Sequence, residues 1–163
     1  MRDAFPDAER GARVVVACIG NRFRGDDAAA LEVARLLRGR LPGDVEILET
    51  EGEPTRLVDV FSGADVAILV DAASSGAGQG TIHRIDLGEQ ELPRTLFRAS
   101  THHFTLADTV SLAQRLGRLP KRTVVYAIEG VRFEAGEGLC PAVAAAAERT
   151  AELIRAEVAG YAA

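Results

Sequence analysis

Two adjacent carboxylates, a third that follows an apolar run, and two adjacent imidazoles are the side chains here best suited to chemistry. Asp26 and Asp27 close the segment Gly20-Asn-Arg-Phe-Arg-Gly25-Asp26-Asp27, Asp71 follows the apolar run 66–70, and His102 and His103 lie in Ser100-Thr-His-His-Phe104. Each has an ordinary reading. Asp26 and Asp27 suit a helix cap and a first-turn carboxylate stabilised by the helix dipole, aspartates commonly end strands, and most loop histidines bind nothing. Brought together, two carboxylates and one imidazole form an O,O,N set for a borderline divalent ion such as zinc or nickel, with positions left for water or for substrate donors. Magnesium would require more oxygen.

Other chemistries find less support. Gly20 and Gly25 have the spacing of a phosphate-cradling loop, but such a loop continues with lysine and a hydroxyl residue, and two carboxylates would repel phosphate. The dinucleotide fingerprint G-x-G-x-x-G is absent. Ser74 and Ser75 are not framed as the G-x-S-x-G of a nucleophile elbow. Cys18 lies inside an apolar run, Cys140 precedes a proline, and neither has metal-finger spacing, so both are expected as buried, reduced thiols. His83, between Ile82 and Arg84 in an alternating segment, is expected at the surface.

The elements that must position these groups follow from periodicity. Residues 14–19 and 66–70 are continuous apolar runs, as in strands buried on both faces of a parallel sheet. Leu31, Ala34, Leu37 and Leu41 recur at helical spacing up to Pro42-Gly43. Residues 45–48 read as a short strand, 55–61 as a short helix behind Pro54, and the Gly- and Ser-rich stretch 72–80 as a mobile loop. Residues 81–87 alternate like an edge strand. Thr105 and Asp108 have the form of a capping box ahead of a helix with Leu106, Val110, Ala113 and Leu116 on its apolar face. Residues 123–128 form the last strand, and Pro141 opens a closing helix along Val143, Ala147, Ile154 and Val158. The expected fold is α/β: one three-layer αβα sandwich with a mostly parallel twisted sheet of about five strands and helices on both faces. In such sheets ligands bind where loops leave the carboxyl ends of the strands at the point where strand order reverses. The ends of the first strand and of the Val66 strand, and the loop before Thr105, can all reach that crevice.

The chain has 163 residues, 47% hydrophobic and 26% charged, enough to bury a core without disulfides or metal. One domain over residues 1–163 is expected, with residues 1–11 as a flexible segment. Nineteen basic and 24 acidic residues give a net charge of −5, with no basic stripe, which argues against a nucleic-acid partner. The first apolar run is too short for a leader or a membrane span, so a cytoplasmic protein is expected.

Gly20-Asn21 followed by Asp26-Asp27, then Asp71 after an apolar strand, then Ser100-Thr-His102, resembles the nickel-iron hydrogenase maturation endopeptidases. The resemblance runs almost the full length and includes Glu51-Gly52 before the short second helix and Gly138-Leu139-Cys140-Pro141 opening the last one. It implies a metal-dependent hydrolase that removes the C-terminal extension of a hydrogenase large-subunit precursor after nickel insertion. Asp27, Asp71 and His102 would be both the catalytic and the metal-contacting residues, acting on nickel carried by the precursor. Another divalent ion such as zinc or cadmium could occupy the site in vitro. Asp27 and Asp71 would contact the ion or the attacking water while His102 supplies a neutral imidazole, so processing would decline as pH falls through about 6.5. Ala28 stands where the family often has glycine after the acidic pair, and His103 where another polar residue is usual; register with Ser100 favours His102. The 72–80 loop, beside Asp71, would shape the groove for the precursor tail, and Arg22, Phe23 and Arg24 beside the acidic pair would help choose the partner. The client is the expected partner of a monomer.

Two rival readings have different consequences. A receiver-like signalling domain also places acids after its first and third strands, but it needs a lysine after its last strand. Glu129-Gly130 stands there, and the single lysine, Lys121, precedes that strand. A non-catalytic nickel-handling or docking module of the same fold differs only in lacking cleavage.

Overall fold

The computed structural model describes residues 11–98 and 104–161. Its sheet contains five strands: β1 (Val14–Ile19), β2 (Glu46–Thr50), β3 (Val66–Ala73), β4 (Ile82–Asp86) and β5 (Arg122–Glu129). They lie in the order β2-β1-β3-β5-β4, parallel throughout except for β4, which runs antiparallel to β5. Among the described residues four α-helices cover it: α1 (Ala29–Leu37), α2 (Pro54–Phe61), α3 (Leu106–Arg115) and α4 (Pro141–Tyr161).

The apolar runs become central strands because alternate residues supply two cores. Val14, Val16 and Cys18 of β1 join Val66, Ile68 and Val70 of β3 and Val124, Tyr126 and Ile128 of β5 beneath α1 and α4. Val15, Ala17 and Ile19 face the other way, with Ala67, Leu69 and Ala73 of β3, to meet α2 and α3. Both faces are thus apolar, which is what continuous hydrophobic runs without alternation require. Asp71 shares the α2/α3 face with Leu69 and Ala73, since side chains two residues apart on a strand point the same way.

Several boundaries differ from the expectation. α1 stops at Leu37, before Leu41 and Pro42, because Arg38 is extended and Gly39 takes φ 74°, a left-handed conformation that a helix cannot continue through. Leu41 still packs against the core from the connecting segment. β3 extends beyond Val70, so Asp71 sits within it, paired with Ala127 of β5. Leu116 lies at the C-cap of α3 and is 54% exposed, off the apolar face it was expected to share. The capping box at its other end is formed, the Thr105 hydroxyl accepting from the Asp108 N–H and the Asp108 carboxylate accepting from the Thr105 N–H. This fixes where α3 begins and how its first turn meets the carboxyl edge of the sheet.

Among the described residues no helix is long and apolar enough to cross a membrane. Cys18 and Cys140 are free thiols. Cys18 is buried, its pKa pushed up to about 12, chiefly by burial, whereas Cys140 is only half-buried, contrary to the expectation for it. The expected flexible segment lies, for residues 1–10, outside the described residues.

Candidate active site at the carboxyl edge of the sheet

The chain leaves β1 towards α1 and β2 on one side, and after β3 continues to β4 and β5 on the other, so strand order reverses between the neighbours β1 and β3. The crevice expected of such a reversal opens there. Asp27, beyond the end of β1, and Asp71, near the end of β3, both line it. The recess draws its apolar walls from Ile19, Leu57, Phe97, Phe104, Leu106 and Phe133.

Asp27 is placed by a short 3-10 turn, Gly25–Ala28, that leads into α1. Neither Asp26 nor Asp27 caps that turn with its side chain, and none caps α1, so the capping half of the ordinary reading fails, while both carboxylates do lie in the first turn of the 3-10 helix. The Asp27 carboxylate instead accepts the Asn21 N–H at 3.0 Å, folding the segment back on the end of β1. Gly20 permits the close approach: a Cβ there would lie 2.1 Å from the Asp27 backbone oxygen. Gly20→Ala must therefore displace the 3-10 turn. Overpacking of this kind costs about 2 kcal/mol, or roughly 4–8 °C in melting temperature at this chain length, readable in a circular-dichroism melt. An unchanged melt would show that the turn yields freely.

Asp71 accepts a hydrogen bond from the next residue along β3. The Ala72 N–H donates to its Oδ1 at 2.8 Å, and burial, with the negative charge of Asp27 added, drives its pKa well above the ordinary carboxylate range. Asp27 and Asp71, with Glu51 also on the lining of this recess, bring enough negative charge there to store a proton or welcome a cation that neutralises it.

Asp26, the neighbour of Asp27, does something else. It is fully shielded from solvent, and its carboxylate accepts the N–H groups of Val131 (2.9 Å), Arg132 (3.0 Å) and Cys140 (2.9 Å). Burial pushes its pKa up, but the donors from Arg132, Cys140 and Val131 outweigh that and leave it below the usual value. It ties the segment before α1 to the segment before α4.

The expected third ligand, His102, and its neighbour His103 fall in residues 99–103 and lie outside the described residues. The described chain resumes at Phe104, and Phe104 and Thr105 line the same recess. Among the described residues no group of three or more His, Cys, Asp or Glu side chains is arranged to hold a metal ion. His83, expected at the surface, is instead a partner of the buried Glu129, its Nε2 lying 3.0 Å from Oε2.

The family model described as hydrogenase maturation protease, HycI, matches residues 31–157. The hydrogenase 2 maturation protease of Escherichia coli K12 is 30% identical over 149 residues, covering 88% of this chain and 89% of its own. The hydrogenase expression/formation protein HupD of Thiocapsa roseopersicina is 26% identical over 125 residues, 74% of this chain; the matched part spans only 56% of that relative's length. Among solved structures, an endopeptidase from E. coli superposes with a TM-score of 0.75 at 28% identity, covering 87% of this chain and 89% of that one. The [NiFe] hydrogenase maturation protease HycI of Thermococcus kodakarensis KOD1 gives 0.71 at 28% identity, covering 92% and 94%. With most of its length matched by the family model and by these relatives, the chain belongs to the hydrogenase maturation protease family.

Proposed function

We propose that this protein is the endopeptidase that removes the C-terminal extension of a nickel-iron hydrogenase large-subunit precursor once nickel is in place. The observation that carries the reading is the meeting of Asp27 and Asp71 at one recess at the strand-order reversal, in a chain of this family. Asp27, Asp71 and His102 are assigned as the catalytic and metal-contacting residues, and the nickel is the client's cargo, the ion by which the precursor is recognised. An incomplete O,O,N set suits an ion whose other ligands belong to another protein. The protein works on its client as a monomer in the cytoplasm, without nucleic acid or membrane.

Hydrolysis of the scissile peptide asks for water to add to its carbonyl carbon, a proton to leave that water, and the C–N bond to break as the amine takes up a proton. The ion on the client polarises the carbonyl. Asp71, whose carboxylate lines the same recess as Asp27, is the group assigned to take the proton from water and return it to the leaving amine. Asp27, braced by the Asn21 N–H, would present its carboxylate to the client's ion. Phe97, Phe104 and Phe133 line the recess, and a client seated over them would complete the exclusion of water that strengthens such charge interactions.

The test mixes the protein with nickel-loaded and nickel-free precursor and follows release of the C-terminal peptide by mass spectrometry. Cleavage of the loaded form alone is the expected result, lost in Asp27→Ala, Asp71→Ala and His102→Ala and retained in His103→Ala. Binding of the loaded precursor without cleavage would replace the proposal with a docking or nickel-handling module.

A further inference from the structure

The segment linking β3 to β4 is rich in glycine and serine, and its tip at residues 76–79 is exposed, yet it is organised around one buried carboxylate. Glu129 is the last residue of β5 and is 1% exposed. Its Oε1 accepts the N–H of Ser75 at 2.6 Å and of Gly76 at 2.9 Å, and its Oε2 accepts the Ser75 hydroxyl at 2.9 Å and meets His83 Nε2 at 3.0 Å. Its backbone closes the far end of the loop, the Gly80 N–H donating to the Glu129 carbonyl and the Glu129 N–H to the Thr81 carbonyl, both at 2.8 Å. Gly80 itself takes φ 80°, and a Cβ there would stand 2.7 Å from the Ala142 carbonyl of α4, so this end is pressed against that helix. At the near end, the Ser74 N–H donates to the Leu96 carbonyl at 2.7 Å, and Ser74 lines the recess together with Asp71.

We propose that Glu129 is a positioning residue for client recognition: by holding Ser75 and Gly76 it pre-forms the 74–80 loop as the wall against which the client's scissile segment lies. This rests on the protease reading above. A glycine-rich loop left free would be ordered only when the client binds, and that ordering entropy would be taken from affinity. A buried carboxylate with four hydrogen-bonding contacts removes the cost beforehand and transmits the position of β5 to Ser75 and Gly76, which follow the recess-lining Ser74. The three side chains are not a nucleophilic triad. The imidazole bonds to Glu129, and the Ser75 hydroxyl gives its proton to that same carboxylate oxygen.

The experiment compares wild type, Glu129→Ala, Glu129→Gln and Ser75→Ala in three measurements: amide hydrogen exchange across residues 74–80, Kd for nickel-loaded precursor, and kcat and KM for peptide release. Glu129→Ala is expected to speed exchange at Ser75 and Gly76 and to raise both Kd and KM about tenfold, with kcat within about threefold of wild type. Glu129→Gln, which keeps an acceptor for the two amides, should recover most of the loss. A fall in kcat at unchanged KM would make Glu129 part of the chemistry and overturn the proposal, as would a loosened loop with unchanged Kd, or unchanged exchange. If Glu129→Ala does not fold, Glu129→Gln and Ser75→Ala carry the same comparison at smaller amplitude. If wild type binds precursor but releases no peptide, the protease reading fails, and exchange with Kd still decides the role of Glu129.

Discussion

Asp71→Asn is expected to lower peptide release by about 10³-fold and, in the same protein, to raise the melting temperature by roughly 2–4 °C. The two effects have one origin. Burial and the neighbouring Asp27 hold the folded-state pKa of Asp71 well above that of an unfolded chain, so ionising Asp71 near neutral pH works against folding. That penalty is fully present above the folded-state pKa, shrinks as pH falls through it, and is gone below the ordinary carboxylate value, where Asp71 is protonated in both states. Asparagine keeps the shape and the oxygen that accepts from the Ala72 N–H, but carries no charge. It removes the destabilisation together with the proton acceptor and the ion contact. Melting curves of the two proteins across pH should therefore diverge in neutral solution and merge on acidification. An Asn variant that processes precursor at the wild-type rate would remove Asp71 from the chemistry. One that melts below wild type near neutral pH would show that the carboxylate is stabilised rather than strained.

What the sequence disclosed, and what it concealed, divides by the reach of the interaction. Continuous apolar runs read as central strands because two cores are supplied from alternate residues, and the Thr105–Asp108 pair read as a helix start because both partners lie within one turn. The end of α1 was misplaced because hydrophobic spacing carried on to Leu41 while Gly39 had already left helical conformation. Asp71 read as the residue after a strand because polarity ends the apolar pattern there, although the parallel ladder with β5 continues through Ala73. That Asp27 and Asp71 would share a crevice was legible from topology alone: two parallel strands on either side of an order reversal present their following residues to one place. Glu129 left no such trace, since Ser75, Gly76 and His83 lie 46 to 54 positions away and hydrogen bonds of that kind have no period. The only available hint was a polar residue closing an apolar strand, the same signal that drew notice to Asp71.

Asp26→Ala is expected to cost about 3 kcal/mol, or roughly 6–12 °C in melting temperature. The carboxylate is the common acceptor for three backbone N–H groups that lie 105, 106 and 114 residues further along the chain. The Asp26 N–H in turn donates to the Arg132 carbonyl at 2.7 Å, so removal of the side chain strips one half of a two-way clamp and strands the donors of Val131, Arg132 and Cys140. Asp26→Asn keeps one acceptor oxygen and should lose about half as much. Because the folded-state pKa is lowered, the contribution of Asp26 to stability is fully present above the unfolded carboxylate value and is lost as pH falls through the folded one. Wild type and Asp26→Asn should accordingly differ most near neutral pH and converge in acid, the opposite use of charge from that at Asp71 even though both comparisons narrow there. Equal melting temperatures for wild type and Asp26→Ala at pH 7 would sink this account. A clamp that holds residue 26 also sets the direction in which residue 27 faces, so the same Ala variant should process precursor poorly even at temperatures where it remains folded. Adjacent aspartates thus divide the work: one fixes the loop, and its neighbour meets the client.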